Sequence, residues 1–340
     1  MKGYQFEDTQ GTFHLKKAEN ISYLYFPIAG EAGLKSSFTP NLGGDAKIDQ
    51  NTFLLEPVSA ENLVNNRNSR NFWCNVKGIG SWSLTGHSAE ELSKKFTEMQ
   101  DDSEVTAGFM WQKTTRESKK YQLRGEILSF IPVDKNVEIM LVTITNTGRM
   151  AQTVTPTAAI PLYGRSADNI RDHRHVTSLL HRIETTDTGV LVTPTLSFDE
   201  RGHQVNHMTY YCVGWSGNGE KPVDFYPTAE DFVGEGGNFE RPYAIVKNAE
   251  GVKAGTKIEG LEAVGGLHFS EITLEPEEEC SYLIFTGITE DIQEIRNLSK
   301  TYTTREKVLE ELEKTKAYWQ EKVNVAYHTG DSDFNQFMHW

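Results

Sequence analysis

From about residue 13 to residue 289 the chain alternates short apolar runs rich in Val, Ile, Thr, Tyr and Phe with turn chemistry such as Gly43-Gly44-Asp45 and Ser216-Gly217-Asn218-Gly219. Such runs predict strands, because side chains on an extended backbone point alternately to the two faces. The clearest hairpin spans residues 126–147, where EILSFIP and VEIMLVTITN flank the polar turn Asp134-Lys135-Asn136. Its second arm is apolar at nearly every position, the pattern of a strand covered on both faces. Further strands are predicted over residues 153–163, 189–198, 208–215, 271–274 and 280–285. So many strands at close spacing predict two large packed antiparallel sheets.

Two kinds of helix signal interrupt this pattern. Ser88-Ala89-Glu90-Glu91 has the spacing of a capping box ahead of Leu92 and Phe96, which predicts a short helix. Near residue 290 the period changes for good: Thr303 and Glu306 form a second capping box, and Leu309, Leu312, Trp319 and Val323 recur near helical spacing among Lys and Glu. After the break at His328-Thr329-Gly330-Asp331, Ser332 is placed to cap another helix with Phe334, Phe337 and Met338 on one face, followed by Trp340. That apolar face needs a partner surface, and docking of the tail back onto the sheets is the alternative. The expected division is a mainly β domain over 1–289, a large supersandwich of two antiparallel sheets, and a C-terminal helical linker over 290–340. The sequence shows no repeat of twenty to fifty residues and no Pro- or Ser-rich tract.

Composition narrows the partners. Hydrophobic residues make up 37% of the 340, with 17 Phe, 13 Tyr and 6 Trp, enough to bury a sizeable core. A net charge of −14 disfavours nucleic acid and anionic membrane, which are bound through clustered Lys and Arg. The opening MKGYQFEDTQGTFHL lacks the apolar run of a secretory signal, and no stretch nears the ~20 apolar residues of a bilayer span. Cys74, Cys212 and Cys280 are odd in number, far apart and in no metal-ligand spacing, as for buried reduced thiols. A cytoplasmic protein is expected.

The densest candidate chemistry is the run YGRSADNIRDHRHVTSLLHR, residues 163–182, directly after an apolar strand. Arg165, Arg171, Arg174 and Arg182, with His173, His175 and His181 and the carboxylates Asp168 and Asp172, offer rigid donor forks and acceptors suited to sugar hydroxyls or an anion. A buried Arg–Asp network fastening a long loop to the sheet explains the same residues, and sequence leaves both readings open. A zinc site from His173 and His175 with Asp172 or His181 is the sharper alternative, opposed by the interleaved arginines.

Elsewhere the signals are blander. Asp199-Glu200 within FDERGH gives two adjacent carboxylates, whereas glycoside hydrolysis needs two on opposite sides of one bond; pairing with Arg201 and a turn at Gly202 fit better. The glycine-rich stretch 231–240 lacks the Gly-Lys-Ser/Thr ending that cradles nucleotide phosphates and reads as a shaped surface loop. Trp73, Trp82, Trp111 and Trp215 are sugar-stacking candidates, or core packing. No Gly-x-Ser-x-Gly elbow, Cys/His dyad signature or HExxH is present.

Taken together, YGRSADNIRDHRHVTSLLHRI, TLSFDERGH and DFVGEGGNFERP resemble the glycoside phosphorylases of glycoside hydrolase family 94, in order and in spacing. NSRNFWCNVKGIGSWSLTG and AGFMWQK are similar too, so the resemblance covers essentially the whole chain. Within the family it is closer to 1,2-β-oligoglucan phosphorylases, and to the related part of cyclic β-1,2-glucan synthases, than to cellobiose phosphorylase. The resemblance implies a galactose mutarotase-like β-supersandwich, a helical linker, a catalytic (α/α)6 barrel and a small β domain, of which this chain carries the first two. It implies no catalytic residue here and no metal or organic cofactor. The implied partners are a β-linked gluco-oligosaccharide and inorganic phosphate in the full-length enzyme, and a second subunit in a homodimer. Arg165, Asp168, Arg171, His173, Arg174 and His175 are then candidates to line a partner subunit's substrate cleft. A stand-alone carbohydrate-binding sandwich is the alternative.

Overall fold

The computed structural model of the chain describes residues 3–21, 24–58, 70–171, 174–199, 202–323 and 325–340. The hairpin expected over 126–147 forms as strands Leu123–Phe130 and Val137–Asn146, paired from Leu123↔Asn146 to Phe130↔Ile139. Every residue of Val137–Asn146 is buried, because both of its faces are covered. It lies inside an eleven-stranded antiparallel sheet. On one side follow Glu279–Thr289, Thr209–Ser216, Gly189–Val192, Arg182–Thr185 and Lys257–Glu259. On the other, beyond Leu123–Phe130, lie Trp111–Ser118, Asp102–Gly108, Phe13–Lys16 and Tyr4–Phe6.

A six-stranded sheet packs on this one. Asp224–Thr228, Ala263–His268, Gln152–Leu162, Asn71–Val76 and Gly80–Ser83 follow in that order, and Ile272–Leu274 also pairs with Gln152–Leu162. The core between the sheets interleaves Met140, Val142, Ile144 and Ile284 with Phe72, Cys74, Val76, Ala158, Ile160 and Leu267. Alternate residues of each strand supply it. Residues 189–198 were expected as one strand and form two. Gly189–Val192 stays in the large sheet, whereas Leu196–Asp199 pairs with Gly202–Val205 in a separate hairpin. Pro194 between them has no N–H to give a ladder, which ends the first strand.

A four-stranded sheet, Phe26–Ala29, Lys35–Phe38, Ala46–Asp49 and Thr52–Leu55, is tied to the large sheet by a buried ion pair. Arg70 Nε and Nη2 donate to Glu138, the latter at 3.0 Å, and both residues are almost fully buried. Ser36 Oγ donates to Glu138 at 2.7 Å, and the guanidinium lies 4.2 Å from the Phe38 ring.

Helices Ile292–Thr301 and Arg305–Lys322 cover the other face of the large sheet, seating Ile295, Leu298, Val308 and Leu312 against Leu141, Val213, Leu283 and Phe285. The second helix starts one residue later than the expected Thr303/Glu306 box. Its N-cap is Thr304, without a side-chain bond. The buried Tyr302 stacks on Phe285 and its carbonyl accepts from Trp215 Nε1 at 3.0 Å, which holds Thr303 outside the helix. The buried stripe is Val308, Leu312, Thr315 and Trp319; Leu309 is partly buried and Val323 lies past the end. The short helix expected after Ser88 is Ala89–Ser93, with Ser88 Oγ accepting from Glu91 N, although Leu92 and Phe96 point to solvent.

The last helix, Ser332–Phe337, is capped by Asp331 rather than Ser332, because Asp331 Oδ1 reaches the amides of Asp333 and Phe334. It docks on the N-terminal strands. Phe337 packs edge-on against Tyr4 and Phe6, Trp340 against Phe13, and the Trp340 indole N–H donates to Gly11 O at 2.9 Å. Gly11 has φ +85°, and a Cβ there would meet His339 at 2.9 Å. Half of the aromatic surface of Phe334 and Phe337 stays exposed. Among the described residues no helix is long and apolar enough to cross a membrane.

Removing one member of the Arg70–Glu138 pair strands the other charge in the interior. Arg70→Met is expected to destabilise the chain by about 3–5 kcal/mol. The double change Arg70→Met with Glu138→Leu should recover more than half of that loss in urea unfolding.

Candidate functional site

The 163–182 loop leaves the strand Gln152–Leu162 at Gly164, whose φ is +62°. A Cβ there would press on Tyr210, His181 and Pro194 at 3.4–3.5 Å. The next residues zip onto the hairpin ending at Leu55. Tyr163 N donates to Leu54 O at 2.8 Å, Phe53 N to Arg165 O at 2.9 Å, and Ala167 N to Gln50 O at 2.8 Å. A 3-10 turn over Ala167–Arg171 and a short helix Arg174–Ser178 follow, before the chain re-enters the large sheet at Arg182.

The candidate residues divide by burial. Arg165 is buried, with its guanidinium 5.1 Å from the Tyr163 ring centroid, so it holds the loop down. Asp168 is exposed. Arg171, Arg174 and His175 lie on the turn and helix described above, and their backbone alone is described. Asp172 and His173 lie outside the described residues. Ile170, Val176 and Leu179 of the same loop are exposed.

His181 closes the loop. Its amide donates to Ser178 O at 2.9 Å, its carbonyl accepts from Gly260 N at 3.0 Å, and Nδ1 lies 3.2 Å from Leu261 O. Burial, and then the nearby Arg165 charge, push its pKa down to about 3. The imidazole is therefore neutral at physiological pH, with Nδ1–H placed to donate to Leu261. Among the described residues no group of three His, Cys, Asp or Glu is arranged to hold a metal ion.

Sequence reasoning passed over two fasteners. Ser166 Oγ donates to Asn169 Oδ1 at 3.2 Å and to Phe198 O, so the loop is tied to the hairpin of Leu196–Asp199 and Gly202–Val205. Pro194 and Gly202 were the available signals for that hairpin. Asp199 pairs with Gly202, and the turn expected at 200–202 lies in part outside the described residues, which omit 200 and 201. The glycine-rich stretch begins in the helix Ala229–Val233, capped by Thr228, and breaks at Gly234 with φ +72°. Phe232 and Phe239 seat it over the outer face of the six-stranded sheet. Trp73, Trp82 and Trp215 are buried, which rules out a stacking platform, and the Lys316 ammonium lies 4.4 Å from the half-buried Trp111 ring. All three cysteines are free; burial pushes the thiols of Cys212 and Cys280 up to about 12.

The fold is two large packed antiparallel sheets with helices on their outer faces and a polar loop anchored at both ends. Residues 55–305 match the family described as glycosyl hydrolase 94, supersandwich domain, and the chain belongs to that family. No curated protein matches the chain. Among solved structures it is similar to a bacterial glucoamylase complexed with acarbose, at 10% identity and a TM-score of 0.44, over 98% of this chain and 40% of that one. A protein assigned as a kojibiose phosphorylase, from human microbiome, aligns at 8% identity and a TM-score of 0.39, over 98% and 38%. One assigned as an aldose 1-epimerase, from Escherichia coli K12, aligns at 9% and 0.40, over 78% and 99%. The chain thus spans about 40% of the length of the glucoamylase.

The His181 pKa carries a pH prediction. The unfolded imidazole titrates near 6.5 and the folded one near 3. Between those values the unfolded chain binds the extra proton, so this contribution is present above pH ~6.5 and is lost progressively towards pH 3, at up to ~1.4 kcal/mol per unit. Urea unfolding measured across that window should show the slope, and His181→Gln should flatten it.

Proposed function

We propose that the chain is the non-catalytic, substrate-shaping and dimerising N-terminal module of an inverting β-glucan phosphorylase acting on 1,2-β-linked glucans. The observation that carries this reading is the supersandwich match over residues 55–305. In the complete enzyme, inorganic phosphate attacks the anomeric carbon with inversion and α-glucose 1-phosphate leaves, while one carboxyl of an (α/α)6 barrel protonates the glycosidic oxygen. Phosphate takes the place of water and its general base, so a second protein carboxyl is not needed. This chain then supplies neither catalytic group, metal nor cofactor. Residues 1–289 act as the sandwich and 290–340 as the linker to the barrel, in a cytoplasmic enzyme.

The loop is the part that reaches substrate. Arg165 and His181, both buried, position it; Asp168, Arg171, His173, Arg174 and His175 supply the contacts to acceptor-side sugar hydroxyls in a partner subunit's cleft. Anchors at Phe53 and Leu261 support this reading, since a loop fixed at both ends presents its crest at little entropic cost. A second reading, a stand-alone carbohydrate-binding sandwich, is favoured by the docking of the last helix on Tyr4, Phe6 and Phe13. Calorimetry on the chain separates the two, because only the stand-alone module should bind gluco-oligosaccharides by itself.

In the polypeptide that joins this chain to a catalytic barrel, Asp168→Ala and Arg174→Ala should each raise the oligosaccharide KM about tenfold, the loss of one charged hydrogen bond. The KM for phosphate should stay within a factor of two. Unchanged oligosaccharide kinetics in both variants would remove the loop from the substrate site.

A further inference from the structure

The turn that ends the strand Thr209–Ser216 carries the chain's one Asn-Gly pair, Asn218-Gly219. Every other asparagine precedes a residue with a side chain, and no aspartate precedes glycine. A side chain on the following residue shields that residue's amide nitrogen from the asparagine before it. At Asn218 this shield is missing.

The turn is pinned at its base and open at its tip. Gly217 and Asn218 are its central residues, and Gly219 N closes it by donating to Ser216 O at 2.8 Å. Ser216 N donates to Glu220 O at 2.8 Å, Glu220 N to Ser216 Oγ at 3.0 Å, and Gly217 N to Ser281 O at 2.7 Å. Gly217 sits so close to the neighbouring strand that a Cβ there would fall 2.1 Å from Ser281 Oγ. Gly219 is the opposite case. Both it and Asn218 are exposed, its φ is +84°, and a Cβ there would meet nothing within 4 Å. A five-membered ring joining Asn218 to Gly219 therefore has room. The bond in its way is that of Gly219 N to Ser216 O, at a tip where local opening costs little.

We propose that Asn218 is a site of spontaneous covalent modification, converted to aspartate and isoaspartate through a succinimide formed with the backbone of Gly219. The Gly219 nitrogen gives up its proton and bonds to Asn218 Cγ, the Cγ–Nδ2 bond breaks, and ammonia leaves with the proton. Water then opens the ring. Cleavage of the bond from the Gly219 nitrogen to Cγ gives aspartate, and cleavage of its bond to the main-chain carbonyl carbon gives isoaspartate. The balance is one water consumed and one ammonia released, with no oxidant or reductant.

The modification falls on a charged part of the surface. Asn218 lines a cleft of about 370 Å³ together with Glu220, Glu271, Glu278 and Glu279, and the Lys221 on its rim is already paired with Asp187. Both products add a carboxylate to this acidic rim. Isoaspartate also routes the backbone through the side-chain Cβ, which lengthens the turn by a methylene group.

Ageing the chain in mildly alkaline buffer tests the proposal, with charge separation, peptide mapping and labelling by an isoaspartyl methyltransferase as readouts. An isoform with one added negative charge should appear first, with its isoaspartate at 218. Its formation should be slowed no more than about tenfold relative to the free peptide Ser-Gly-Asn-Gly-Glu, because an exposed turn opens at little cost. Asn218→Gln, an exposed change whose longer side chain disfavours the ring, should fold normally and lose both the early isoform and the label at 218. Absence of conversion at 218 while the free peptide goes to completion, or an early isoform that persists in Asn218→Gln, would overturn the proposal.

Discussion

Arg70 and Glu138 meet in the interior where three sheets join, and the position of the polar loop follows from that meeting. Two charges withdrawn from water are tolerated only if their remaining donors and lone pairs are met. Glu138 takes two guanidinium nitrogens and the Ser36 hydroxyl, while Arg70 also reaches the carbonyls of Leu42, Gly44 and Asp45 at 3.2–3.4 Å. The turn at Gly44 that offers these carbonyls has φ +128°, and a Cβ there would fall 1.9 Å from Ser37 O. This pins the four-stranded sheet to Val137–Asn146. That small sheet in turn carries Phe53 and Leu54, to which the start of the loop is hydrogen-bonded.

The loop is thus held from two directions. At Arg165 it hangs on the small sheet, and at His181 on the segment of Gly260 and Leu261, with Ser166 and Asn169 linking its middle to the hairpin at Phe198. The charged residues that stand out in the sequence therefore serve different ends. Buried Arg165 and neutral His181 set the shape, whereas Asp168 is exposed. On the phosphorylase reading proposed above, such an arrangement matters because an oligosaccharide is recognised through many weak hydroxyl contacts whose value depends on preorganised partners.

Much of the architecture is legible in the sequence, for local reasons. The nearly continuous apolar run of 137–146 reads as a strand covered on both faces, and the step from period two to helical period near residue 290 marks the outer helices. Errors arise where tertiary contacts override local signals. Tyr302, held by Trp215 and Phe285, moves a helix start past Thr303, and the aromatic face of the last helix finds Tyr4, Phe6 and Phe13 at the far end of the chain. The chemistry of the 163–182 loop is readable from residue types. Which of its residues are buried is not, because that depends on pairing with Phe53 and Leu261, far away in sequence. Burial of the polar column Gln112, Thr114, Arg116 and Ser118 on the strand Trp111–Ser118 was equally hidden, since Thr-rich alternation looks alike whichever face meets the core.

The most direct test of the functional account is the release of α-glucose 1-phosphate from 1,2-β-linked gluco-oligosaccharides in the presence of inorganic phosphate. It should be measured for this chain alone and for the chain joined to a catalytic barrel. The account predicts release by the joined protein, with inverted anomeric configuration, and none by the chain alone. Release by the chain alone, or none by either protein across β-linked glucans, would contradict it.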